Sequence, residues 1–95
     1  MIGVIAKLKA ADGKDAALEQ AFGELAAKVR AGEPGCLMYQ LTKSRTEPGV
    51  YKVLELYKDE DALNAHRASE HFKAAGPSLG AVMAGRPEVE YLDGV

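Results

Sequence analysis

Through "IGVIAKL" at residues 2 to 8, Ile2, Val4, Ala6 and Leu8 fall on one side of an extended chain, a period of two that predicts a first strand. From Lys14 the period changes. Leu18, Phe22, Leu25 and Val29 recur at steps of four, three and four, with Ala17, Ala21 and Ala26 beside them, and draw one stripe along a helix. "AGEPG" at 31–35 predicts its end, with Gly32 in the left-handed position past the last turn and Pro34 barring continuation.

"CLMYQLTKS" at 36–44 and "VYKVLELY" at 50–57 favour strands, and "RTEPG" between them reads as the turn of a hairpin. Asp59 is a suitable N-cap for "EDALNAH", and Ser69 for "EHFKAAG". Pro77 suits the first turn of a further segment, "PSLGAVM", and "RPEVEYLDG" closes the chain as a short strand. The order is strand, helix, strand, strand, helix, strand, with no linker or repeat, which predicts a single domain over residues 1–95. Its class is α+β, a ferredoxin-like split βαβ sandwich whose antiparallel sheet carries helices on one face. The other face is left bare, and a homodimer is the simplest way to cover it.

Composition narrows the function. At 95 residues, 47% hydrophobic and 27% charged, the chain has the balance of a small globular domain. A net charge of −2 and a pI near 5.6 lack the basic excess that nucleic acid requires. Cys36 is the only cysteine, so one chain can form neither a disulfide nor a thiolate cluster. The apolar run at the N-terminus is far too short for a membrane span or a signal core, which points to the cytoplasm.

Both histidines lie in "ALNAHRASEHFKAAG", from Ala62. On an unbroken helix five positions advance about 500°, leaving His66 and His71 roughly 140° apart, and the spacing of four that serves zinc is absent. No metal site is expected. Proton transfer fits better, because imidazole titrates near neutrality and can act as base and then acid. His66 follows Leu63 and Ala62 on the face turned to the sheet. His71 falls in the first turn after Ser69, where the helix dipole disfavours its charged form. The plainer alternative makes His66 a hydrogen-bonded core residue and His71 an exposed cap.

In "VYKVLELY" the alternation puts Tyr51, Val53, Glu55 and Tyr57 on one face. A carboxylate there is either solvated or partly buried with a raised pKa. Tyr39, Tyr51, Tyr57 and Tyr91 are candidate donors to a ligand oxygen, or packing residues with the hydroxyl at a rim. No glycine-rich phosphate loop or serine elbow occurs, and nothing near Cys36 in sequence would lower its pKa.

"EPGCLMYQL", followed by "VYKVLELYKDEDALNAHRASEHFKA", resembles the antibiotic biosynthesis monooxygenase family of small dimeric ferredoxin-like proteins. The run from Glu55 through "YKDEDAL" to His66, Ser69, His71 and Phe72 carries most of the similarity. Family members include cofactor-free oxygenases of quinols and phenols, haem-degrading enzymes and an isomerase of a phosphorylated sugar. The haem-degrading branch uses a tryptophan and a haem-ligating histidine where this chain has His66 and Gly76. The resemblance therefore implies a homodimeric, cofactor-free monooxygenase acting on an electron-rich small molecule. In it His66 would be the base, His71 and Glu55 its orienting or relay partners, and Tyr39, Tyr51, Tyr57 and Phe72 the substrate-binding side chains. From its place in the first turn of the helix, His71, kept neutral, is expected to polarise a substrate oxygen or to hold the substrate in place. An isomerase and a non-catalytic binder remain as alternatives.

Overall fold

The computed structural model describes residues 1–95. The elements are β1 (Ile2–Lys9), α1 (Asp15–Gly32), β2 (Cys36–Lys43), β3 (Val50–Tyr57), α2 (Glu60–Ala68), α3 (Glu70–Gly80) and β4 (Glu88–Asp93). The strands form one sheet in the order β2-β3-β1-β4, and every neighbouring pair is antiparallel. That is the α+β ferredoxin-like arrangement which the alternation of periods predicts.

The stripe on α1 does what its spacing demands: Leu18, Phe22, Leu25 and Val29 are buried together with Ala26. They pack on Ala6 and Leu8 of β1, Tyr39 of β2, and Tyr51 and Val53 of β3 in one apolar cluster. The opposite sheet face has no helix over it. There Met38 and Leu92 stand 47% and 41% exposed, in cross-strand line with Leu56 and Gly3.

Two local expectations are corrected. Gly32 is not left-handed; it ends α1 with ordinary dihedrals, and the chain leaves through Glu33 at φ −124° and ψ 84°. Pro34 accounts for this, because the residue before a proline is held in the extended region. Pro77 does not open a new segment but lies inside α3. The helix tolerates it because Lys73, whose carbonyl loses its usual donor, is exposed to water.

Three features fix the geometry around the histidines. Asp59 caps α2 by accepting from the Ala62 N–H at 2.9 Å. Ser69, extended at φ −67° and ψ 146°, ends α2 and starts α3. Its hydroxyl donates to the His66 carbonyl at 2.7 Å and accepts from the Phe72 N–H at 3.3 Å. Between Cys36 and Met38 the pairing of β2 with β3 shifts by one residue, a bulge at Leu37. Cys36 pairs with Tyr57 and Tyr39 with Glu55, so both point to the helix side although three positions separate them.

The loop before β2 approaches α2 closely at Gly35. A Cβ there would stand 2.6 Å from the Ala62 Cβ. Gly35→Ala is therefore expected to displace α2 and destabilise the protein by about 1–3 kcal/mol. Adding Ala62→Gly should recover what the clash removed, less the roughly 1 kcal/mol helix penalty of glycine. Urea denaturation of the single and double variants measures both.

Candidate active site

A cavity of about 130 Å³ lies between the sheet and all three helices. Its floor is set by register. Tyr39, Glu55, Val4 and Tyr91 stand in one line across four strands, and Val53, Ala6 and Val89 occupy the next. Above them are Phe22 and Leu25 of α1, Leu63, His66 and Arg67 of α2, and Phe72 and Leu79 of α3. β4 lacks a helix over it, so Val89 and Tyr91 remain 45% and 53% exposed and form the mouth with Arg67. The Arg67 guanidinium sits over the Tyr91 ring, 4.8 Å from its centre.

His66 is the one buried polar or charged residue of the chain, 3% exposed. Its imidazole is boxed by aromatic rings, with centroids 5.2 Å from Tyr39, 5.4 Å from Tyr57 and 4.7 Å from Phe72. Nδ1 lies 3.0 and 3.1 Å from the two carboxylate oxygens of Glu33. The neutral tautomer with its proton on Nδ1 donates to that carboxylate and leaves Nε2 free to accept. Burial pushes the His66 pKa below its ordinary 6.5, and Glu33 pulls part of the way back.

Glu33 also bonds Nε2 of His71 through Oε2. The result is His66, Glu33 and His71 in sequence from the cavity outwards. His71 does not line the cavity; its ring borders an outer groove, so it cannot polarise an oxygen bound inside. The five-residue spacing of the histidines serves one carboxylate between two separate helices. No group of three His, Cys, Asp or Glu side chains is arranged to hold a metal ion.

Glu33 is the residue that the pattern analysis misses. It sits in "AGEPG", where Gly and Pro dominate the signal and the acid reads as loop solvation. The one usable hint is its place before Pro34, which fixes its backbone as α1 ends.

Glu55 lies on the floor, where its Oε1 accepts a 2.6 Å hydrogen bond from the Tyr57 hydroxyl. Burial is the main cause of its raised pKa, which the Tyr57 bond opposes and the Glu33 charge reinforces. It forms no direct bond to His66, and Tyr57 is the side chain that touches both. Tyr57 itself is wholly buried, and burial together with Glu55 raises its pKa far above the usual phenol value. Tyr39 stacks on Phe22 at 5.3 Å and brings its ring to the cavity beside His66. Tyr51 is elsewhere: its hydroxyl donates to Glu19 at 2.6 Å, away from the cavity. Cys36, half-buried beside Tyr57, has its thiol pushed up to about 11, chiefly by burial, and is a poor nucleophile.

The family profile for antibiotic biosynthesis monooxygenase matches residues 1–77. The chain belongs to the antibiotic biosynthesis monooxygenase family. A Caulobacter crescentus CB15 protein assigned to these monooxygenases shares 60% identity and superposes with a TM-score of 0.95, covering 99% of this chain and 89% of that one. A solved antibiotic biosynthesis monooxygenase is 32% identical, with TM-score 0.88 over 100% and 99% of the two chains. A Pseudomonas aeruginosa protein reaches 30% and 0.86 over 99% and 93%. No curated protein sequence matches the chain significantly. As in the sequence pattern, no helix is long and apolar enough to cross a membrane.

The raised pKa of Glu55 makes a prediction about stability. In the unfolded chain this carboxyl ionises near 4.5, whereas in the folded protein it ionises higher. Between the two values the folded state binds more protons, so the contribution of Glu55 is lost as pH rises through the folded value. Glu55→Gln should equal the wild type in urea midpoint at pH 4 and exceed it at pH 8. Equal midpoints at both would show the carboxylate to be solvated.

Proposed function

We propose that this family member is a cofactor-independent monooxygenase for a small electron-rich phenol or quinol. His66, buried yet free at Nε2 and held through Nδ1 by Glu33, is the observation that carries this reading. A phenol seated between Tyr39 and Phe72 gives its proton to Nε2, and Glu33 orients the ring and supports the imidazolium that forms. Tyr57, expected to bind substrate, lies behind His66 outside the cavity lining. The phenolate, in an apolar cavity, is electron-rich enough to reduce oxygen. One oxygen atom enters the ring and the other leaves as water, so phenol and O₂ give quinone and water with all four electrons supplied by the substrate. In its protonated form, which burial favours, Glu55 donates a hydrogen bond to the oxygen-bearing intermediate, and Tyr57 holds it in place.

The lining favours this chemistry over isomerisation of a phosphorylated sugar. Eleven of the fourteen lining residues are hydrophobic, and the one cation, Arg67, is occupied with Tyr91 at the mouth. A phosphate and several hydroxyls would lose more hydration there than they regain.

The reading includes a homodimer joined through the bare sheet face. Met38, Leu56 and Leu92 form an apolar row, Ile5 and Leu54 are the apolar centre of the next line between Gln40 and Glu90, and Lys7, Lys52 and Glu88 mark the polar end. A two-fold axis through this face lets the apolar row and the pair of Ile5 and Leu54 cover their copies.

Two measurements test these statements. Protein given a quinol and no added cofactor should consume oxygen, and His66→Gln should lower kcat by about 10²–10⁴-fold, with little change in KM. Full activity of His66→Gln would place the base elsewhere. Sedimentation at micromolar concentration should give twice the chain mass of 10.1 kDa, and a stable monomer would remove the dimer from the proposal.

A further inference from the structure

His66 takes up a proton in a poor place for charge. Three aromatic rings surround it, and Arg67 follows it on the same helix. Yet the carboxylate behind it already serves a second imidazole. The Glu33 side chain is 9% exposed, that of His66 4% and that of His71 20%, so accessibility to water rises from one histidine to the other. His71 also borders the outer groove, a cleft of about 410 Å³ separate from the cavity.

We propose that Glu33 supports one imidazolium at a time, so that when His66 gains a proton from the substrate, His71 releases one to water in the outer groove. The exchange rests on the role of His66 as base given above. It conserves atoms: the substrate O–H becomes His66 Nε2–H, and the His71 Nδ1 proton, on the nitrogen turned away from Glu33, goes to solvent. When His66 returns its proton to the oxygen atom that leaves as water, His71 is recharged from the groove. The net charge of the three groups is unchanged throughout. No proton has to cross the carboxylate, and the cavity mouth need not open to water during turnover.

Charge repulsion between the imidazoles makes the exchange obligatory. A second imidazolium on one carboxylate would be opposed by the first at a distance spanned by a single carboxyl group. The first charge belongs on His71, the less enclosed ring. Its other charged neighbours do not reverse this order. Glu24 and Lys28 of α1 flank it on one side, and Lys58, Asp59 and Asp61 border the groove on the other, leaving a slight acidic excess. Around His66 the remaining groups are Arg67, which opposes a charge there, and Glu55, whose ionisation burial opposes. His71 is thus a charge-balancing residue that never touches the substrate.

Ring nitrogen NMR of the resting protein tests this without any substrate. His71→Gln keeps a hydrogen bond to Glu33 but cannot carry the charge, so the His66 titration midpoint should rise by about one pH unit, the scale of a coupled pair. Glu33→Gln should move it the other way. A His66 midpoint unmoved by His71→Gln overturns the proposal, and that variant decides alone if Glu33→Gln does not fold. With a turned-over phenol, the acid limb of the kcat/KM profile should shift upward in His71→Gln by the same amount while KM at high pH stays constant. A limb that stays in place also overturns it. If no phenol is turned over, the oxygenase reading fails while the NMR titration still judges the coupling.

Discussion

One carboxylate ties the end of α1 to the break between α2 and α3. Glu33 is held on one side by His66 and on the other by His71, and without it these elements would meet through apolar side chains alone. Apolar contacts set distance but not orientation. The position of the His66 ring over the sheet, and hence which nitrogen faces the cavity, depends on this bond. The neighbouring constraints serve it: Pro34 fixes the backbone on which Glu33 leaves its helix, Ser69 places the two histidines on separate helices, and Gly35 lets the loop come close enough to reach them.

The cavity combines groups whose burial is costly in opposite directions. His66 loses stability as pH falls below 6.5 toward its lowered folded value, because a buried imidazole resists charging. Glu55 loses it as pH rises, because a buried carboxyl resists ionising. Burial thus favours the neutral form of both, the histidine as a base and the glutamate as an acid. Two groups with displaced affinities over one apolar floor are suited to chemistry that removes a proton and then stabilises a new oxygen. A domain of 95 residues carries this at the expense of core that it could otherwise fill.

Elements with a strong period were legible from the chain. The α1 stripe and the alternation in β1 and β3 each repeat over several residues, so the hydrophobic signal accumulates and burial follows it. The caps at Asp59 and Ser69 were legible for another reason, since a short polar side chain ahead of a helix has few other uses. His66 could be placed facing the sheet from Leu63 alone. Glu33 could not, because its partners lie 33 and 38 positions away and nothing local marks a contact of that range. Tyr51 and Tyr57 share a strand face but lie six residues apart, which at roughly 3.3 Å per residue takes them to different ends of the sheet. Alternation reports a face and not a position along it.

The bulge at Leu37 has a consequence for how this site tolerates change. Side chains on a strand are in one of two phases, and every residue of β2 after the bulge is out of phase with those before it. The segment that carries Glu33 and Cys36 is thereby counted separately from the segment that carries Tyr39. Were Leu37 paired regularly instead of bulged, one of these two groups would turn to the far side of the sheet, whereas deleting Leu37 would leave Cys36 and Tyr39 two positions apart and both still facing the helices. The spare residue acts as a clutch between the loop and the floor of the cavity, and the length of the tether from α1 can be set without re-aiming the tyrosine it leads to.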